Sequence, residues 1–341
     1  RAGVNAGNSI TSGGNYNVTV GDEAGTAITT GDRNAIVGYA AGDALTEGGS
    51  NVSVGYLSLT ADTKGSRSVA VGDLALTSQN FTSATNALNT AVGYAAGYAV
   101  STGTENTLIG ASAGGAVTTG AQNTLIGTYA GDALTTGNNN VAVGVNSLTT
   151  DTLGDRNVAV GVAALSTQNF TSTTDSYNTA VGYAAGGVVT TGVGNTLMGG
   201  LAGDALTDAD HNVAVGLQAL TTDTLGSRST AIGRSALGAQ NFTSATDTYN
   251  VAVGYDAGVQ ITTGIRNTLV GGASGDSITD ADYNVAIGMN TLSANTVGSR
   301  NTAVGYTALS AVNPASATDT YNTAVGYVAG NAVSTGVRNT F

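Results

Sequence analysis

Two pairs of carboxylates are the first residues whose types and spacing suit chemistry: Asp208 with Asp210 and Asp280 with Asp282, each an Asp-Ala-Asp triplet at an equivalent place in the chain. Alternate carboxylates of this kind offer oxygen ligands to Ca²⁺, or an acid and a base for glycoside hydrolysis. The spacing belongs to neither an EF-hand nor a calcium-binding nonapeptide, and a solvated turn is the favoured account of it. Other chemistry is thinly provided. His211, beside Asp210, is the one His, and there is no Cys, which removes thiolate metal sites, Cys nucleophiles and disulfides together. Gly13-Gly14 and Gly199-Gly200 are not followed by a helical pattern, so a phosphate-binding loop fails its structural test. The expectation is a protein that is not an enzyme and needs no cofactor, with Ca²⁺ the one ion its carboxylates suit.

Three further sets of residues suit recognition or stapling. Phe81, Phe170 and Phe242 lie in long loops as Asn-Phe-Thr, where the ring either reaches a partner or folds back over the edge of the core. Asn80, Asn169 and Asn241 of the same loops are glycosylation sequons. Arg33, Arg67, Arg156, Arg228, Arg266, Arg300 and Arg338 form a column, and Asp62, Asp151 and Asp223 lie five residues before three of them. Ion pairs or caps on turn carbonyls are the expected role, with an acidic glycan as the sharper alternative. A Thr column that includes Thr29, Thr118, Thr135, Thr190 and Thr262 invites comparison with ice-binding arrays. Asn or Ser interrupts it, and β propensity explains the Thr.

These columns exist because the chain is a repeat. The segment Asn140-Val141-Ala142-Val143-Gly144 recurs from end to end as Asn-[Val/Thr]-[Ala/Leu]-[Val/Ile]-Gly, with Asn178, Val181 and Gly182 holding the same places further on. Its Gly returns every 17 residues, or every 21 at four places. With the Asn as position zero, position four is always Gly, read as a corner that a Cβ would spoil, and position eight is Gly or Leu. The three or four β-favouring residues before the Gly predict a short strand, and a second strand is expected over positions ten to thirteen, as in Ala116-Val117-Thr118-Thr119-Gly120. Stacked coils of this sort make continuous parallel sheets over buried Val and Ile columns. The fold class is therefore an all-β parallel β-solenoid, a β-roll of about eighteen 17- or 21-residue coils in one domain over 1–341. Residues 1–16 are an atypical start, 17–338 carry the coils, and 339–341 begin a truncated one.

Composition agrees with that reading. Gly is 51 of 341 residues against a single Pro, which suits a turn in every coil and excludes collagen. Only 9% of residues are charged and the net charge is −12, the wrong balance for a nucleic-acid partner. No apolar run reaches the ~18 residues of a membrane-spanning helix. An acidic, Thr- and Asn-rich surface suits an extracellular setting.

One inference concerns partners. Positions two and three of each strand face opposite ways, yet both are apolar. A thin solenoid covers one of those faces with its own core, so the other calls for a copy of the chain.

The motif Asn-[Val/Thr]-Ala-[Val/Ile]-Gly, followed by Ala-containing turns, resembles the head repeats of YadA-like trimeric autotransporter adhesins and equally the β-roll repeats of phage and bacterial tail fibres. The resemblance covers nearly the whole chain, although the adhesin head repeat is typically shorter than 17 residues. It implies a side-by-side homotrimer on a cell surface or a virion tail, a rigid shaft or head whose loops attach to a glycan or protein receptor. A polysaccharide-binding or -degrading tail spike is the alternative, and an ice-binding solenoid the third.

Overall fold

Each copy of the motif forms a three-residue strand, because Val, Thr and Ile favour the extended backbone and the Gly that follows forces a corner. The computed structural model describes residues 2–341, which fall into two compact units, one ending at Ser176 and one starting at Tyr177. Each unit contains nine such strands, and no helix occurs among the described residues. All pairings are parallel and in register with the repeat. In the first unit Val141, Ala142 and Val143 face Thr124, Leu125 and Ile126 on one side and Val158, Ala159 and Val160 on the other. In the second, Thr196–Met198 pairs with Val213–Val215 in the same way. The parallel β-solenoid expected from the 17-residue period is thus the fold of each unit. Residues 2–16, atypical in sequence, still follow the coil path: Gly3 has the φ of position four (+129°), and the Ala2 amide donates to the Thr19 carbonyl at 3.0 Å.

The Gly at position four is a steric requirement. Its φ is +137° at Gly127, +142° at Gly144 and +141° at Gly182, where side chains are strained. A Cβ on Gly127 would also stand 2.5 Å from the carbonyl oxygen of Gly144, and one on Gly182 the same distance from that of Gly199. The corners of successive coils are in van der Waals contact, so neither bulk nor a different φ fits.

The Asn at position zero builds a buried ladder. Asn140 is fully buried; its amide N–H donates to Oδ1 of Asn123 (3.0 Å) and its Nδ2 to the Gly154 carbonyl (2.9 Å), while its own Oδ1 accepts the Asn157 amide (2.9 Å). Asn178 repeats the arrangement with the Gly192 carbonyl (2.7 Å) and the Asn195 amide (2.9 Å). Each Asn satisfies backbone groups that the turn would leave stranded, at about 1 kcal/mol net per bond.

Two expectations are corrected. Positions ten to thirteen form no strand: Val117 to Gly120 is a bend, and the β propensity of Val-Thr-Thr is overridden by corners that need left-handed residues close by. Coil-to-coil bonds persist there, from the Ala116 amide to the Asp132 carbonyl (2.9 Å) and from the Thr118 amide to the Thr135 carbonyl (2.8 Å). A second, two-residue ladder forms only where a long coil follows, as between Gly154–Asp155 and Thr174–Asp175. The Val and Ile column at position three is also not the core. Val143 and Val181 are partly exposed, and position two is buried instead, in Leu108, Leu125 and Ala142 of the first unit and Leu197 and Leu269 of the second.

The core exchanges volume between columns. Where position two is Leu or Ile, position eight is Gly: Ile36 with Gly42, Leu108 with Gly114, Leu125 with Gly131, Leu197 with Gly203, Leu269 with Gly275. Where position eight is Leu, as at Leu148, Leu165, Leu220 or Leu237, position two is Ala or Ser. Position eight is left-handed either way, with φ +56° at Gly131 and +50° at Leu148. A Leu there costs about 1–2 kcal/mol in backbone strain, offset by about 1.5–3 kcal/mol from burying its side chain.

Candidate functional site

The two coil types dispose their polar groups differently, and that difference places the long loops. Coils with Gly at position eight have an apolar residue at position eleven, such as Val117 or Leu134. The first Leu coil of each set has an acid or amide there (Asp62, Asp151, Asp223, Asn295), and the next, long coil has Gln79, Gln168, Gln240 or Val312. Asp62, Asp151, Asp223 and the three Gln are fully buried. Gln79 Nε2 donates to Asp62 Oδ2 (2.6 Å), Gln168 to Asp151 (2.6 Å) and Gln240 to Asp223 (2.5 Å). The other oxygen of Asp62 accepts the amides of Gly65 (3.0 Å) and Phe81 (3.1 Å), and Asp223 does the same for Gly226 and Phe242. Each carboxylate thereby ties the long loop to the coil before it. Burial pushes the Asp151 carboxyl above its usual value, against the opposing effect of its hydrogen bonds to Gln168, Gly154, Leu153 and Phe170.

Arg33 pairs within its coil with Asp32 at 3.7 Å, but ion pairs to Asp62, Asp151 and Asp223 do not form, because those three point inward. The Arg partners lie instead at the ends of the long loops. Arg156 pairs with Asp175, Arg228 with Asp247, and Arg300 with Asp319 at 2.9 Å. In the second unit the same corner alternates Arg and Tyr over successive coils. Arg266 lies 5.3 Å from the Tyr283 ring and donates to its hydroxyl (2.5 Å), and Arg300 lies 4.7 Å from Tyr283 and 5.7 Å from Tyr321. The alternation of Arg228, Tyr249, Arg266, Tyr283, Arg300 and Tyr321 was readable in the sequence as one column, and the Arg residues alone conceal it. Such contacts are worth about 0.5–1 kcal/mol each at exposed sites.

Of the two placements open to Phe81, Phe170 and Phe242, the rings take the folded-back one and are 5–7% exposed. The loops present Thr82, Ser83 and their equivalents outward.

The Asp pairs are separated by their bonding. Asp210 Oδ1 accepts the Val193 amide and Asp282 Oδ1 the Ile265 amide, both at 2.8 Å. Asp208 accepts the Thr191 hydroxyl (2.5 Å) and Asp280 that of Thr279 (3.0 Å). Each of these carboxylates thus spends one oxygen on a turn group. No set of three or more His, Cys, Asp or Glu side chains converges among the described residues.

The Thr column has a role other than β propensity. Thr118 Oγ1 donates to the Thr135 carbonyl (3.1 Å) and Thr135 Oγ1 to the Thr152 carbonyl (3.0 Å), and Thr29, Thr190 and Thr262 do the same one coil on. The hydroxyls staple the bend and are not a free lattice facing water.

What each unit leaves uncovered is its sheet face. Val37, Ile109, Met198, Ile232 and Ile287 of position three are exposed, and beside them at position five stand Tyr39, Tyr56, Tyr94, Tyr183, Tyr255, Tyr306 and Tyr327. Tyr39 stacks on Tyr56 at 5.6 Å, and Tyr306 on Tyr327 at 5.5 Å. No described helix is long and apolar enough to cross a membrane. Compared with known proteins, the sequence matches no family model and no curated protein, so the surface is read from its own geometry.

Proposed function

We propose that the chain is a structural and adhesive segment of an extracellular fibre, on a cell surface or a virion tail, whose copies associate side by side as a homotrimer. One observation carries this reading: position three presents a Val, Ile or Met, exposed or partly exposed, in every coil along the sheet face of each unit, on a backbone stapled coil to coil by Asn, Thr and Gly. Exposed apolar area organised in a stripe marks an interaction surface. The column has the coil repeat of a neighbouring copy's sheet, which suits a second copy, while the long loops remain free for a glycan or protein receptor. Attachment is assigned to binding, with no catalytic role and no resident cofactor. A polysaccharide-binding spike is the second reading, supported by the aromatic and acidic cleft described below.

The mass of the native assembly, by sedimentation equilibrium or native mass spectrometry, tests the proposal. A trimer that dissociates when Ile109, Val143 and Val181 are changed to Lys is the expected result. A monomer that is soluble at high concentration would sink the side-by-side arrangement.

A further inference from the structure

Position nine of three successive coils is Tyr98, Gly115 and Asp132, so the column lacks its middle side chain. The gap opens a shallow surface cleft of about 570 Å³ within the first unit, whose lining includes Tyr94, Tyr98, Ser112, Gly115, Ala116 and Asp132. That volume falls in the range of small-molecule sites, roughly 300–1,000 Å³. The Asp132 carboxylate leans over Gly115 so closely that a Cβ there would lie 2.6 Å from Oδ1.

We propose that this cleft binds a neutral pyranose ring of a surface glycan, with the Tyr94 and Tyr98 rings against its C–H face and Asp132 accepting its hydroxyls. The inference rests on the attachment reading and names the ligand class for one part of the surface.

Three observations favour this occupant. The aromatic pair is open, with Tyr94 60% and Tyr98 46% exposed, and ring faces of this kind cover the apolar side of a ring while polar neighbours meet its edge. Asp132 is the only charged residue lining the cleft and no cation accompanies it, which disfavours an anionic sugar by repulsion. Most telling is an internal comparison. Asp43 and Asp204 occupy the same position in other coils, and there the following Thr60 and Thr221 donate their hydroxyls to the carboxylate. After Asp132 the equivalent Thr149 turns away and donates to the Tyr129 carbonyl at 2.6 Å. The Asp132 carboxylate, held by the Gly115 backbone amide, therefore lacks the Thr hydroxyl that Asp43 and Asp204 accept, as does Asp276 at the same position of the second unit, and of these two it is the one beside an aromatic pair in the cleft. Burial already holds its carboxyl above the usual range.

The cleft follows from the inserted coil. Gly97, Gly114 and Gly131 mark three successive Gly coils where the other sets have two, and the extra coil sets Tyr98 and Asp132 two steps apart with Gly115 between.

Titration calorimetry and saturation-transfer NMR on the intact chain, with methyl glycosides of glucose, galactose and mannose as probes and the methyl glycoside of N-acetylneuraminic acid as the anionic control, test the site. At least one neutral glycoside is expected to saturate with a Kd of order 1 mM, and Tyr98→Ala and Asp132→Ala each to weaken it about tenfold. Tyr98 is exposed and Asp132 half-buried, so thermal unfolding of both variants accompanies the titrations to show that they fold, and Tyr306→Ala serves as the unchanged control. Absence of binding by every neutral probe up to ~10 mM, preference for the acidic sugar, or binding that survives both substitutions would overturn the proposal. Failure is distinguishable from that of the fibre reading, because the cleft lies within one chain and its titration does not depend on the mass of the assembly.

Discussion

Gln79 donates its side-chain amide to the Asp62 carboxylate at 2.6 Å across neighbouring coils, and neither residue reaches solvent. The orientation of that amide is fixed: Gln79 Oε1 accepts Nδ2 of Asn89 (2.9 Å), which itself donates to the Gly103 carbonyl (2.8 Å). Asp62 therefore faces three N–H donors, from Gln79, Gly65 and Phe81. A buried carboxylate without a counter-ion is tolerable when its lone pairs are filled in this way.

Asp62→Asn puts one NH₂ against another and is expected to cost about 1–3 kcal/mol, and Gln79→Val, which strips the carboxylate of a donor, a similar amount. The double change reproduces what the fourth set already contains, where Asn295 bonds both backbone groups of Gly298 (2.7 and 2.9 Å) and Val312 is buried. Chemical denaturation of the three variants should show the double costing less than the sum of the singles by about 1 kcal/mol or more. Strict additivity would mean that the two residues do not act as a unit.

Acidification should stabilise the first unit. Desolvation raises the Asp151 carboxyl above its usual 3.8, so the folded chain holds a proton more readily than the unfolded one. The contribution of such a group is full below the unfolded value and is lost as pH rises through the folded value. Asp132 of the same unit, also raised by burial, acts in the same direction, and Asp276 does so in the second unit. The melting temperature is expected to climb as pH falls from neutral toward the usual carboxylate value of 3.8, and Asp151→Asn to flatten part of that slope. A steady fall over that range would contradict the assignment.

Chelation should leave the chain unmoved. Asp210 and Asp282 each hold an amide of the preceding coil at 2.8 Å, and Asp208 and Asp280 accept Thr hydroxyls, so one oxygen of each carboxylate is already engaged by the protein's own donors. Melting curves with and without EDTA are expected to superimpose. A drop of more than a few degrees in EDTA, reversed by Ca²⁺ and absent in Asp208→Asn/Asp210→Asn, would promote the pairs to ligands.

The period, the Gly corners and the Asn ladder were legible because each column repeats one residue type with one steric or hydrogen-bonding need. Which strand face is the core was not legible. Val143 and Ala142 are both apolar, and alternation carries no sign when both faces are apolar; only the pairing of Leu125 with Gly131 against Ala142 with Leu148 marks position two as the inside. The expected strand at Val117-Thr118-Thr119 failed for a different reason. Its side chains suit a strand, but Val117 lies between the left-handed Gly114 and the coil-to-coil bonds at Thr118, which bend the backbone. The inward turn of Asp62, Asp151 and Asp223 left a signal that went unread. An acid at position eleven occurs only with Leu at position eight, and Gln only in the coil that follows.

Glycines that look alike in the sequence should differ sharply on substitution. Gly127 has φ +137° and a Cβ there would lie 2.5 Å from the Gly144 carbonyl oxygen, a backbone atom that cannot swing away. Gly127→Ala combines that clash with a φ that L-residues avoid, and is expected to cost about 3 kcal/mol or more. Gly200, directly after the equivalent corner at Gly199, has no such φ, and a Cβ on it would only touch Leu217 Cδ1 at 3.5 Å. Gly200→Ala should therefore stay within about 0.5 kcal/mol of the parent, or gain slightly by restricting the unfolded chain. Thermal and urea unfolding of the two variants separate a corner in contact with the next coil from a surface position; equal losses would mean that corner contacts are not what fixes Gly at position four.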